Sequence, residues 1–197
     1  MAAKKLPVYE LEISEEEMDK SGVQYVALVD NPAVEMDWQK FENQKPMYFV
    51  SDQSRRIVTG VAMRADFPIY RNNPAKGEHY VVFKKDTIEK IMKKRAKQGY
   101  QNNFNLMHNP EAITEGVYEL ESFMVDSQRG ILAPKGMKVE DGSWIMSVYI
   151  ENDEVWNEVQ SGAFRGLSVE GFFGYEFGEQ VNVNDCIAEI QSILNSL

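Results

Sequence analysis

The chain has 197 residues, 43% of them hydrophobic and 26% charged, a balance that suits a globular protein with one sizeable core. Its formal charge of −10 argues against a nucleic-acid surface, because phosphate contacts need clustered lysine and arginine. No apolar run approaches the roughly 18 residues of a membrane-spanning helix, and the lone cysteine, Cys186, excludes an intramolecular disulfide or a cysteine-based zinc site.

One cysteine fits a reducing cytoplasm, and the first residues, MAAKKLPVYELEI, lack the apolar stretch of a secretory signal. In chain order, SEEEMDKSG (14–22) reads as an acidic helical turn or loop, with Ser14 as N-cap and Glu17 completing a capping box. VQYVALVDNPAVEM (23–36) is a buried strand stopped at Asn31-Pro32. Residues 38–54 are polar, break at Pro46 and read as a surface loop. A strand follows within 55–71, then a loop at FPIYRNNPAKG, then the β-branched and aromatic strand HYVVF (79–83). Residues 85–98 place Ile88, Ile91 and Met92 at helical spacing, and the lysine-rich remainder is expected to be a solvated face.

FNLMHNP is a short apolar segment with its turn predicted at Asn109-Pro110. GVYELESFMVD (116–126) and GSWIMSVYIEN (142–152) are consecutive strands; residues 153–162 form a short helix closed by Gly162. A strand carrying Ser168 follows, and 184–197 is a terminal amphipathic helix capped by Asn184 or Asp185. Six or more strands with three or four helices, not in strict alternation, predict a mostly β fold. A mostly antiparallel sheet or barrel with peripheral helices is expected rather than a doubly wound sheet.

In SGAFRGLSVEGFF (161–173), strand alternation puts Leu167 and Val169 on one face and Ser168 and Glu170 on the other. On this stretch alone an ordinary strand serine is the simpler reading. A nucleophilic serine needs a base, and only two histidines exist. His79 opens a strand and reads as structural. His108 follows Leu106 and Met107 and precedes a turn, where an imidazole can be oriented as a base, although on these residues alone a structural role is the simpler reading. GLSVEG is not the G-x-S-x-G elbow, since its second glycine comes one position late. Neither a phosphate-binding glycine loop nor H-E-x-x-H is present, so no cofactor and no metal are expected. Glu119 and Glu121 share a strand face and read as a solvated edge; nothing singles out a carboxylate pair.

The order His108, two strands, a short helix, then Ser168 is carried by NFNLMHNPEAITEGVYELESFMVD and WIMSVYIENDEVWNEVQSGAFRGLSVEGFF. Over residues 55–173 these segments resemble the prohead maturation proteases of tailed phages. That family looks like a relative of herpesvirus assemblin, which implies a closed or nearly closed antiparallel β-barrel surrounded by helices. Carried over residue by residue, Ser168 is the nucleophile and His108 the general base. The relatives have an [E/H]-V-S-L-V-x-x-PA strand after the serine strand, and here the nearest stretch, YVALVDNPA (25–33), lies near the N-terminus. The resemblance therefore implies a circular permutation within one protease domain over 1–197. Residues 23–36 would replace the late strand, 55–173 form the catalytic core and 184–197 the C-terminal helix.

Within YVALVDNPA the acid or histidine position holds Tyr25 and the adjacent serine position holds Ala27. Tyr25 could orient the imidazole but not stabilise an imidazolium as a carboxylate would, so a Ser168–His108 dyad is expected, with Tyr25, or Asp30 if a bulge re-aims it, as the candidates for a third member. Arg56 and Arg165, with Arg55, are candidate oxyanion donors beside backbone N–H groups. The resemblance implies a serine endopeptidase that cleaves scaffold and major capsid protein segments, and itself, inside the assembling procapsid in the host cytoplasm. Neither nucleic acid nor membrane is an expected partner. A homodimer is compatible with the stripe Ile187, Ile190, Ile193 and Leu194. The competing readings are an inactive head-assembly protein of the same fold, and an unrelated β-rich binding module in which His108 and Ser168 never meet.

Overall fold

A computed structural model describes residues 6–16, 19–30, 32 and 49–177. In chain order the first strands are β1 (Val8–Glu12), β2 (Gly22–Val29), β3 (Phe49–Asp52), β4 (Ile57–Met63), β5 (Ile69–Asn73) and β6 (Gly77–Val82). Helix α1 (Lys85–Gln98), β7 (Phe104–Leu106), β8 (Asn109–Ile113) and β9 (Val117–Met124) follow. The described chain closes with β10 (Trp144–Ile150), α2 (Asp153–Ser161), β11 (Gly166–Phe172) and β12 (Gly174–Phe177).

The mostly β class with helices outside the sheets is what the structure has; the closed antiparallel barrel is not. The described strands form three four-stranded sheets, ordered β12-β1-β6-β5, β3-β4-β10-β9 and β11-β2-β7-β8. Closure requires every strand to be paired on both sides, and here each sheet ends in strands with one partner. Two pairings, β1 with β6 and β2 with β7, are parallel. Long connections separate the members of each parallel pair, as such pairing demands. The shared core is filled from all three sheets: Val81, then Val58, Trp144, Met146 and Val148, then Val26, Leu28, Phe104 and Leu167, with Ile88 and Ile91 of α1.

Helix α1 begins without a side-chain cap and ends at Gly99, whose φ of 72° is the left-handed geometry glycine tolerates. Lys84, Lys85, Lys93 and Lys97 are exposed, as a solvated face requires, but two basic residues depart from it. Lys94 and Arg95 are buried, each with its charge met by polar groups of distant segments. The Lys94 ammonium donates to the carbonyls of Ser14 (2.7 Å) and Asp19 (3.0 Å). This pins the segment before β2, which is a loop at residues 13–16 rather than a helical turn. Glu17 lies outside the described residues. Arg95 pairs with the carboxylate of Glu119 and donates to the Gln101 carbonyl. Burial pulls the Arg95 pKa down, while Glu119 pulls it back up. Glu119, on the edge strand β9, is thus largely covered by Arg95 rather than solvated, whereas Glu121 is exposed and accepts a hydrogen bond from Ser147 at 2.6 Å.

Helix α2 is capped by Asn152, whose side chain accepts from the N–H groups of Glu154 and Val155, and it ends at left-handed Gly162 as expected. Two segments expected to be loops are partly strand: Phe49–Asp52 of the 38–54 segment is β3, and Ile69–Asn73 of FPIYRNNPAKG is β5. Residues 33–36 of the predicted N-terminal strand, residues 38–48, Cys186 and the predicted terminal helix with its apolar stripe lie outside the described residues.

Candidate active site

The sheet β11-β2-β7-β8 has one apolar face and one polar face, and the register assigns them. Leu167 and Val169 of β11 pair with Leu28 and Val26 of β2, and Val26 pairs with Phe104 of β7; these side chains face the core. The alternate rung runs Ser168, Ala27, Asn105, with Glu170 of β11 opposite Tyr25 of β2. One strand therefore separates Ser168 from Asn105, and the small Ala27 occupies the place between them.

His108 reaches this face from a tight turn. Leu106 pairs with Asn109, leaving Met107 and His108 as a two-residue hairpin loop with φ of 54° and 57°. Positive φ at both central residues is the geometry of a type I′ turn, which favours Asn-Gly because left-handed φ costs most side chains energy. The turn thus falls one residue pair earlier than the sequence suggests, and Asn109 and Pro110 open the next strand. Strained backbone of this kind is kept where it positions a functional side chain.

The imidazole bridges two β11 side chains. Nε2 lies 3.0 Å from Ser168 Oγ and Nδ1 lies 3.2 Å from Glu170 Oε2. The same carboxylate oxygen accepts from the buried Asn105 amide at 2.9 Å. Because a carboxylate accepts and does not donate, the pattern assigns the ring proton to Nδ1 and leaves Nε2 free to accept from the serine hydroxyl. The site is open: the side chains of His108 and Glu170 are 41% and 36% exposed. Such a group can take the hydroxyl proton as oxygen attacks an electrophilic carbon, and the carboxylate stabilises the resulting imidazolium.

Of the residues singled out in the sequence, Ser168 and His108 meet across 60 positions. Neither Tyr25 nor Asp30 is the Nδ1 partner. Tyr25 shares the polar face opposite Glu170, and Asp30 lies just past the end of β2. Arg56 is engaged elsewhere, with Asp153 at 2.7 Å and its guanidinium 5.8 Å from the Trp156 ring centre. Arg165 is exposed just before β11, its N–H donating to the Val29 carbonyl at 2.8 Å. His79 is fully buried, bonded through Nδ1 to the Gly77 carbonyl at 2.8 Å and edge-on to Tyr9 and Tyr175. Sequence reasoning missed Glu170 and Asn105. The signal for Glu170 was its parity with Ser168, two residues earlier on the same strand.

Among the described residues, no group of three or more His, Cys, Asp or Glu side chains is placed to hold a metal ion. Neither curated proteins nor solved structures give a match to the chain. A protein-family model does match, that of "Putative phage serine protease XkdF", over residues 46–176, about two thirds of the sequence. The chain belongs to this family of phage serine proteases.

Proposed function

We propose that the protein is a serine endopeptidase of phage head assembly, with Ser168 as nucleophile, His108 as general base and Glu170 as the carboxylate behind the histidine. The observation that carries this reading is the bridging imidazole, 3.0 Å from the hydroxyl on one side and 3.2 Å from the carboxylate on the other. Ser168 Oγ attacks the scissile carbonyl carbon while its proton passes to Nε2. The imidazolium then protonates the departing amine as the C–N bond breaks, leaving an acyl-serine. Water, deprotonated by Nε2, attacks the acyl carbon and releases the new carboxyl end and the free serine. The inactive-protein reading drew its strength from Tyr25 standing where relatives carry an acid or histidine, and Glu170 supplies a carboxylate from a different strand.

The substrates are scaffold and major capsid protein segments, and the chain itself, cut inside the procapsid in the host cytoplasm. The resemblance to prohead proteases and the phage protease family support this. The permuted, assemblin-like ancestry draws support from β2, which lies directly beside the serine strand. The test is incubation of the purified chain with its co-encoded scaffold and capsid proteins. Cleavage is expected with the unmutated chain and not with Ser168→Ala. Equal processing by both would remove Ser168 from the chemistry.

A further inference from the structure

We propose that Asn105 is a positioning residue that selects the productive tautomer of His108 by holding Glu170. The inference rests on the Ser168–His108 reading above and extends it. Glu170 is a flexible side chain on an edge strand, over a third exposed, and nothing in its own strand keeps it under the imidazole. Asn105 comes from β7, beyond the intervening β2, and donates across that strand to the same Oε2 that accepts from His108 Nδ1.

Asn105 itself is 1% exposed, and its buried Oδ1 has no hydrogen-bond partner among the described residues. A buried, half-satisfied amide is costly for a fold that could place an apolar residue there. Its orientation is settled by Glu170, since turning the amide over would set two oxygens against each other. The carboxylate so fixed accepts the Nδ1 proton. A free neutral imidazole prefers its proton on Nε2, where it could not accept from Ser168. The other titratable groups on or beside the strands around the ring are Tyr25 on β2, Asp30 just past its end and Glu111 on β8; the partner of Nδ1 is Glu170.

The test is ¹⁵N-histidine NMR of the full chain at a pH where the ring is neutral, with His108 assigned by the loss of its signals in His108→Gln. In the unmutated protein Nε2 should carry the shift of an unprotonated nitrogen. Asn105→Leu, and Asn105→Ser should the leucine variant fail to fold, are expected to move the population towards the Nε2–H form. Glu170→Gln should do the same, and combining it with Asn105→Leu should add nothing. Cleavage by Asn105→Leu should fall about tenfold in kcat with KM unchanged. An unchanged tautomer in both Asn105 variants overturns the proposal, whatever happens to activity. A shifted tautomer in a chain that cleaves nothing would overturn the peptidase reading and leave the role of Asn105 standing.

Discussion

Replacing Glu170 by glutamine keeps the shape of the side chain and removes its charge, and with it the firm hold on the Nδ1 proton, so it tests the role assigned to this residue. The carboxylate sits 3.2 Å from Nδ1, but both side chains are more than a third exposed, and water screens the pair. An effective dielectric of about 40–80 gives an attraction of about 1–3 kcal/mol between carboxylate and imidazolium at this distance. That energy is gained only as the imidazolium forms, so its loss should lower kcat about 10–100-fold. Asparagine in place of a buried triad aspartate costs about ten-thousandfold by leaving the histidine in the wrong tautomer; at this exposed site, where water can also accept from Nδ1, the smaller figure is expected. The assay is the steady-state rate of scaffold cleavage, with Ser168→Ala as background and Tyr25→Phe as a control expected to stay within about twofold. Full activity in Glu170→Gln would remove the carboxylate from the mechanism. A loss as large as that of Ser168→Ala would show that the site is dry when substrate is bound and that the screening argument is wrong.

Three further outcomes follow from the packing. Met107 occupies a left-handed position, φ 54°, so Met107→Gly should relieve about 1 kcal/mol and raise Tm by about 2–4 °C in calorimetry; a lower Tm would contradict the strain. Glu119→Ala leaves the guanidinium of Arg95 buried without its carboxylate, which should cost about 3–5 kcal/mol in urea unfolding; a change under about 1 kcal/mol would mean that the pair is solvated. The Asp19 pKa lies below its ordinary value, first through the Ser21 hydroxyl and N–H and then through Lys94. Its contribution to stability is therefore fully present above the ordinary aspartate pKa and lost as pH falls through the lower, folded value. Asp19→Asn should flatten that part of the acid limb of the urea midpoint against pH, and an unchanged acid limb would speak against the coupling.

The sequence carries the strands and helices of the described region well where local chemistry is strong. Alternation marks the serine strand, helical spacing marks Ile88 and Ile91 on α1, and Gly162 marks the end of α2. The site was half legible. Ser168 and His108 stand out because a catalytic serine needs a base and histidines are scarce, and the family resemblance ordered them. Glu170 was already on the right face, but only the fold shows which carboxylate an imidazole 62 positions away meets. The His108 turn was misplaced because Met-His carries none of the Asn-Gly chemistry that announces a type I′ hairpin. Lys94 and Arg95 read as solvated because their partners, the Ser14 and Asp19 carbonyls and Glu119, lie far away in sequence. Barrel closure depends on pairings between distant edges, which no local pattern records.

In the proposed mechanism Ser168 acts as an activated nucleophile, and covalent labelling reads that directly. The full chain is treated with a fluorophosphonate, and the modified peptide is located by mass spectrometry. A single adduct on Ser168, abolished in His108→Gln and slowed in Glu170→Gln, is the expected result. No adduct, or labelling of Ser168 that is indifferent to His108, would contradict it.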